Sequence, residues 1–257
     1  MADPVLLSVS GPVATLAINR PEARNGLFRG LGAMICDRLR QIAADKSIRV
    51  VVFRGVGKDF CPGADLKYRT PDGAARPAPD FDAYQVTVLL HEMPQVTIAA
   101  IRGACAGAGF GWACACDLRA CDDTAKFNTA FLDVGVAGDM GVPWTLPRLI
   151  GAGRARDLMY FPRKLDSIEA QAIGLVERLW PNDRFETELL ALTDRLATAP
   201  PVALAGMKDN FLAAERTDLR SFVALEAERH VRILQTADHA EALKAWSEKR
   251  PGRFEGR

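Results

Sequence analysis

The stretch from Gln95 to Asp117, QVTIAAIRGACAGAGFGWACACD, limits what this chain can fold into more than any other. It opens with a β-type run (Val96, Ile98, Ile101), passes Gly103, and reaches Ala106-Gly107-Ala108-Gly109. From Phe110 it continues with no charge until Asp117. Strand, tight glycine turn and buried small-residue helix is the reading that fits. Gly107 and Gly109 let another group approach the backbone closely. The first turn of a helix has N–H groups without partners, and its dipole favours negative charge. Such a turn can hold a developing oxyanion. The same residues would also serve a buried helix packed through glycine, and the stretch alone leaves both readings open.

The rest of the composition narrows the function classes. A chain of 257 residues can bury a sizeable core. Its 33 basic and 32 acidic residues leave a formal net charge of +1, so there is no basic field for nucleic acid. Cys36, Cys61, Cys105, Cys114, Cys116 and Cys121 sit mostly in apolar stretches, without CxxC or zinc spacing. Buried reduced thiols are therefore expected, with no metal. No signal peptide is evident at the start. The longest charge-free run, Gly103 to Cys116, is too short and glycine-rich for a membrane helix. A soluble cytoplasmic protein without nucleic-acid or membrane partners is the expectation.

Read in order, Val5 to Ser10 and Val13 to Ile18 form a hairpin about Gly11-Pro12. Leu27, Leu31, Met34, Ile35, Leu39 and Ile42 fall on one helical face. Val50 to Phe53 is a buried strand, and Phe60 to Lys67 a second turn. Tyr68 to Asp82, rich in Pro and Gly, reads as a loop, and Phe81 to Met93 as a helix. Short strands follow at Leu118 to Cys121 and Ala125 to Ala130, then helices at Met140 to Ile150, Ala152 to Tyr160 and Ser167 to Ala172. A last strand ends at Trp180, and from about Glu186 the pattern is all helical. Leu219, Phe222, Val223, Ala227, Val231 and Leu234 make one apolar stripe, fit to cover its own core or a neighbouring subunit. The alternation of strands and helices predicts an α/β core.

Three segments together resemble the crotonase superfamily, the enoyl-CoA hydratase/isomerase fold: FCPGADLK (Phe60 to Lys67), IRGACAGAGFGWACACDLRAC (Ile101 to Cys121) and AFLDVGVAGDMGVPWTLPRLIG (Ala130 to Gly151). NRPEARNGL (Asn19 to Leu27) and EKRPGRF (Glu248 to Phe254) match as well, so the resemblance runs along nearly the whole chain. It implies an α/β spiral of ββα turns over residues 1–190, then a helical trimerisation segment over 191–257. It implies a homotrimer or dimer of trimers, and an acyl-CoA thioester as substrate with no further cofactor. It also implies that the amides of Ala64 and Ala108 hold the thioester oxygen. Ala23, Arg24, Asp65 and Leu66 would meet the CoA, as would Lys249 and Phe254 from the tail. By residue type alone, Arg24 and Lys249 serve equally as solvated surface charges.

One departure from the family bears on the chemistry. Where its hydratases carry two water-activating glutamates, this chain has Gly111 and Phe131, neither of which can exchange a proton. The remaining acid is Asp139, where family isomerases and aryl-CoA dehalogenases carry a working aspartate. The AGAG turn with this aspartate looks most like the epoxyphenylacetyl-CoA isomerases. A single carboxylate suits a proton shuttle, taking a proton beside the thioester or from C4 and returning it elsewhere. Phe110, Gly111, Trp112 and Phe131 are the expected acyl-pocket residues and would give Asp139 an apolar setting. Asp139 also precedes an apolar helix and could be its N-cap. Asp117 and Asp133 read as turn or strand-end residues.

Other classes fit less well. The Gly107 turn lacks the third glycine of a dinucleotide fingerprint, and no GxSxG is present. Double-bond isomerisation of an enoyl-CoA is the leading reading. Hydratase-like or dehalogenase-like chemistry and plain acyl-CoA binding are the alternatives.

Overall fold

The computed structural model describes residues 3–65 and 81–257. Gly11 and Pro12 turn the chain between β1 (Val5–Ser10) and β2 (Val13–Ile18), which pair antiparallel from Val5↔Ile18 to Ser10↔Val13. There follow α1 (Leu31–Ala44), β3 (Val50–Gly55), α2 (Phe81–Glu92), β4 (Val96–Ile101), β5 (Ala104–Ala106) and α3 (Ala108–Ala115). Then come β6 (Leu118–Asp122), β7 (Lys126–Asn128), α4 (Val142–Ile150), α5 (Ala152–Tyr160), β8 (Leu165–Asp166), α6 (Ser167–Ala172) and β9 (Arg178–Trp180). Four helices close the chain: α7 (Phe185–Ala197), α8 (Pro201–Ala214), α9 (Leu219–Leu234) and α10 (Ala237–Ser247).

The larger sheet has the order β1-β2-β3-β4-β6-β9, parallel from β2 onward. A smaller sheet, β5-β7-β8, stands past the C-terminal ends of those strands. Parallel strands covered on both faces read as continuous apolar runs, and all six residues of β4, VTIAAI, are buried. Side chains alternate between the two cores. Val51, Phe53, Ala99 and Ile101 join the main core with α1, α2 and α3, whereas Val50, Val52, Ile98 and Ala100 meet Phe185 and Leu189 of α7. The expected boundary at residue 190 thus falls inside a helix that seals the sheet. The α/β spiral is the architecture expected, and the helical C-terminal stretch follows it.

Some local expectations need correction. Leu27 does not belong to the α1 face. It sits in extended backbone, in a parallel bridge to Ala64, because a residue is needed there to pair with the second turn. The strand β5 and the small sheet were not expected, since three-residue strands carry too little periodicity to be read. Phe81 and Asp82, at the end of the expected loop, open α2. The rest of that loop, and Leu66, lie outside the described residues. All six cysteines are buried and none forms a disulfide. No helix among the described residues is long and apolar enough to cross a membrane.

Candidate active site

Parallel strands bring their following loops to one edge. Three of them meet here: 19–27 after β2, 56–65 after β3, and 102–108 after β4. Asn25 ties the first to the second. It is fully buried, and its Nδ2 donates to the carbonyls of Val56 (3.0 Å) and Asp59 (2.6 Å) while its Oδ1 accepts from the Arg20 amide (2.9 Å). Arg24, left-handed at φ 55°, donates from Nε and Nη2, one edge of its guanidinium, to the two carboxylate oxygens of Asp59. The guanidinium holds the Asp59 carboxyl below its ordinary range, and Asp59 also accepts from the Ala104 amide (2.8 Å). Arg20 lies over the Phe28 ring and pairs with Asp65 at 3.3 Å. The Arg24 and Asp65 side chains therefore brace this edge, which brings Ala23, Arg24, Ala64 and Asp65 together.

The second and third loops are stitched by main chain. The Cys61 amide donates to Ala104 and the Ala106 amide donates to Cys61, a parallel bridge of Cys61 with Cys105. Gly109 is seated against this bridge: a Cβ there would stand 2.2 Å from the Cys61 carbonyl oxygen. The two turns touch, since a Cβ on Gly63 would stand 3.4 Å from the Ala108 nitrogen. Burial pushes the Cys61 thiol up to about 12, so it is no nucleophile.

The amides of interest follow from this pairing. Leu27 donates to Gly63 and accepts from Asp65, at 2.8 and 2.9 Å, so the intervening Ala64 peptide faces the other way. Ala108 is the first residue of α3, where no intrahelical acceptor exists. Among the described residues neither the Ala64 nor the Ala108 amide donates a hydrogen bond. Gly107 makes the turn with φ 52° and ψ −122°, a conformation that side chains resist. The other end of α3 is held by buried Arg119, whose Nη1 donates to the Cys116 carbonyl (2.8 Å) and whose Nε donates to the Leu175 carbonyl (2.9 Å), with Glu177 as its ion partner.

The acid loop lies on α3. Gly111 has no side chain because Met140 occupies the space: a Cβ there would stand 2.5 Å from the Met140 Cβ. Asp139 is half-buried and its Oδ1 accepts from the Met140 amide at 3.0 Å. Burial first, and then the charge of nearby Asp139, raise the Tyr84 hydroxyl above its ordinary value. The setting of Asp139 is thus polar on one side, not the apolar one expected. It does not cap α4 either, because the N-cap is left-handed Gly141 and no side chain caps that helix.

The other expected residues are placed as follows. Phe110 and Phe131 are buried core residues. Trp112 is buried edge-on to Phe53 and donates Nε1 to the Ala83 carbonyl at 3.2 Å, so it clamps α3 to α2. Asp117 pairs with buried Lys208 at 2.7 Å, and Asp133 is exposed in a short turn. Phe254 is not brought to this edge within the chain, and the amide of Lys249 donates to the Trp246 carbonyl at the end of α10. The Phe254 carbonyl accepts from Arg49, which precedes β3, whereas the site follows the other end of β3. Asn25, Arg20 and Tyr84 were missed as site-forming residues. The NRPEARNGL segment carried the signal for the first two, but no role could be assigned before Val56 and Asp59 were in view. Among the described residues no cluster of His, Cys, Asp or Glu could hold a metal ion.

Two turns with undonated main-chain amides thus meet at the start of α3, and the loop that carries Asp139 rests on the same helix. The enoyl-CoA hydratase/isomerase sequence family matches residues 9–257. The 1,2-epoxyphenylacetyl-CoA isomerase of Escherichia coli is 31% identical over 263 residues, covering 100% of both chains. A Rhodobacter capsulatus protein named "Probable enoyl-CoA hydratase" is 32% identical over 250 residues, covering 97% of this chain and 96% of its own. The crystal structure of an enoyl-CoA hydratase from Bacillus anthracis superposes with a TM-score of 0.91 at 28% identity, over 99% of this chain and 100% of that one. Taken with the spiral and its paired turns, these matches mean that this chain belongs to the enoyl-CoA hydratase/isomerase family.

Proposed function

We propose that this chain moves the double bond of an enoyl-CoA thioester, with Asp139 carrying the proton and the Ala64 and Ala108 amides holding the enolate oxygen. The Asp139 carboxylate takes a proton from C2 of a 3-enoyl thioester. The electron pair delocalises onto the thioester oxygen, where two main-chain donors offset the charge; one such donor is worth roughly 3 kcal/mol of barrier. The proton then returns at C4, leaving the conjugated 2-enoyl thioester with no atom gained or lost.

The observation that carries this reading is the contact of Met140 with Gly111. It places the residue after Asp139 on the helix that begins at Ala108. It also fills the position where a hydratase-type glutamate would project. Phe131, at the second such position, is only 3% exposed. Two positions for activating water are therefore without a carboxylate, and among the described residues Asp139 is the carboxylate of the loop that rests on α3. The acyl-CoA would lie along the edge formed by Ala23, Arg24 and Asp65. We also propose a homotrimer or dimer of trimers, because no residue of α9 is buried within the chain and Leu219, Val223 and Val231 are exposed. Lys249 and Phe254 would then reach a neighbour's CoA.

The test is conversion of a 3-enoyl-CoA into its conjugated isomer, followed by absorbance, with α-proton exchange into deuterated water in parallel. Tight acyl-CoA binding with neither reaction would leave a binding protein and end the enzymatic reading. Light scattering on the purified protein decides the assembly.

A further inference from the structure

We propose that a cleft at the end of the sheet opposite the candidate active site binds a phosphate ester. The cleft has a volume of about 830 Å³, a size that suits a small ligand. Lys46 and Arg49 precede β3 and Gln95 precedes β4, so it lies where the parallel strands begin. The Ala64 and Ala108 turns follow the far ends of the same strands. Residues of α8 and α9 form the facing wall.

The charge of the cleft is one-sided. Lys46, Arg49, Arg229 and Arg232 line it, against the carboxylates of Asp209 and Glu255. Glu255 is already paired with Arg257 at 2.6 Å. Among the described residues none of the four cations has an ion partner. Arg49 donates Nη1 to the Ala197 carbonyl at 2.7 Å. Arg229 donates Nη1 to the Asp209 carbonyl (3.1 Å) and to Asn210 Oδ1 (2.8 Å), so both arginines keep their charge uncompensated. The side chains of Lys46 and Arg232, both exposed residues, bond nothing among the described residues. The whole chain has a formal net charge of only +1, so this cluster is a local excess that attracts an anion.

Main-chain donors stand at the same place. Helix α8 starts at Pro201, two residues past Ala199, whose carbonyl Arg49 also reaches at 3.4 Å. Pro201 and Val202 line the cleft, and no side chain caps the helix. Among the described residues the Val202 and Ala203 amides donate no hydrogen bond. The first turn of this 14-residue helix favours negative charge, phosphate above all. Gln95 is an independent sign of a ligand. It lines the cleft at 3% exposure, and its Nε2 donates to the Ile42 carbonyl at 3.0 Å and the Asp45 carbonyl at 3.4 Å. Its Oε1 has no partner among the described residues. A buried acceptor left unmade is costly, and a hydroxyl of the ester would satisfy it.

The experiment is calorimetric titration of the full chain with glycerol 3-phosphate and with adenosine 3′,5′-bisphosphate. The proteins are wild type, Lys46→Gln, Arg232→Gln, their double variant, and Arg24→Gln at the candidate active edge, each with its melting temperature. Saturable binding to wild type is expected for at least one probe. Lys46→Gln and Arg232→Gln should each weaken it about tenfold, the loss of hydrogen bonds from a charged group, with melting temperature unchanged. The double variant should lose about 100-fold. Binding of glycerol 3-phosphate assigns a small ester to the cleft, and binding of the bisphosphate alone assigns a nucleotide. No wild-type binding of either probe overturns the proposal. So does binding that Lys46→Gln and Arg232→Gln leave at full strength, or that only Arg24→Gln weakens, since the probe then sits at the other edge.

Discussion

The cradle and the acid loop are built by opposite means. The cradle is main chain stapled to main chain: Cys61 to Ala104 and Ala106, Leu27 to Gly63 and Asp65. In the proposed reaction it supplies N–H groups, so side chains matter only by staying out of the way. The acid loop has no ladder. Left-handed Met140, with φ 46°, and Gly141 turn it, and it is seated by Met140 on Gly111 and by Thr87 on Met140. In the proposed reaction it supplies one carboxylate. A cradle of this kind tolerates exchange of side chains and fails when its backbone is displaced, whereas the acid loop fails when one side chain changes.

Each side of that contrast can be broken separately. The largest effect is expected from Asp139→Asn, which keeps an oxygen for the Met140 amide but cannot take a proton. Turnover should fall by about 10²–10⁴-fold while stability changes by less than about 1 kcal/mol. A matched loss of stability would show that the residue holds the loop instead. Next is Gly109→Ala, whose methyl would stand 2.2 Å from the Cys61 carbonyl and prise the two turns apart. About 3 kcal/mol of stability should be lost in denaturant melts, and activity with it. Near-wild-type behaviour would mean that the cradle is far softer than its contacts imply.

Arg119→Met sharpens the comparison from the far end of α3. It leaves the Cys116 and Leu175 carbonyls and the Glu177 carboxylate without their partner. Stability should drop by about 3 kcal/mol. At 2% exposure Arg119 has no route to a ligand, so kcat of the folded fraction should hold. The smallest effect is expected from Asp59→Asn, which removes the brace to Arg24. Asp59 is held below its ordinary value of 3.8, so its contribution is present above that pH and is lost as pH falls through the folded-state value. The variant should be less stable than wild type at pH 7, by less than about 1 kcal/mol because Arg24 is largely in water. The gap should narrow as pH falls below 3.8, and a gap that did not narrow on acidification would mean the loss is steric.

Legibility differed along the same line. Gly107 and Ala108 announced a turn followed by an uncharged helix, and the structure has them there. The resemblance carried the α/β spiral, because its motifs recur in order along the chain. The short pairings did not show: Leu27 looked helical by spacing, but its partner Ala64 lies 37 positions later (64 − 27), and no local pattern reports such a contact. Trp112 looked like a pocket residue by its place in the motif, and its indole is committed to Ala83. Asp139 looked apolar by its neighbours in sequence, and its neighbours in space include a hydroxyl from α2.

What the sequence determined by itself is the set of residues that permit close approach and those that cannot ionise. Glycine at 107 and 111 and phenylalanine at 131 have those properties in any fold. Which groups make the approach was decided only by tertiary structure. That Met140 fills the space over Gly111, that Arg24 and Asp65 are engaged in bracing, and that Phe254 lies at the opposite end of the sheet all depend on contacts between segments distant in the chain. Conformational freedom belongs to a residue, but the partner that uses it is selected by how the whole chain packs.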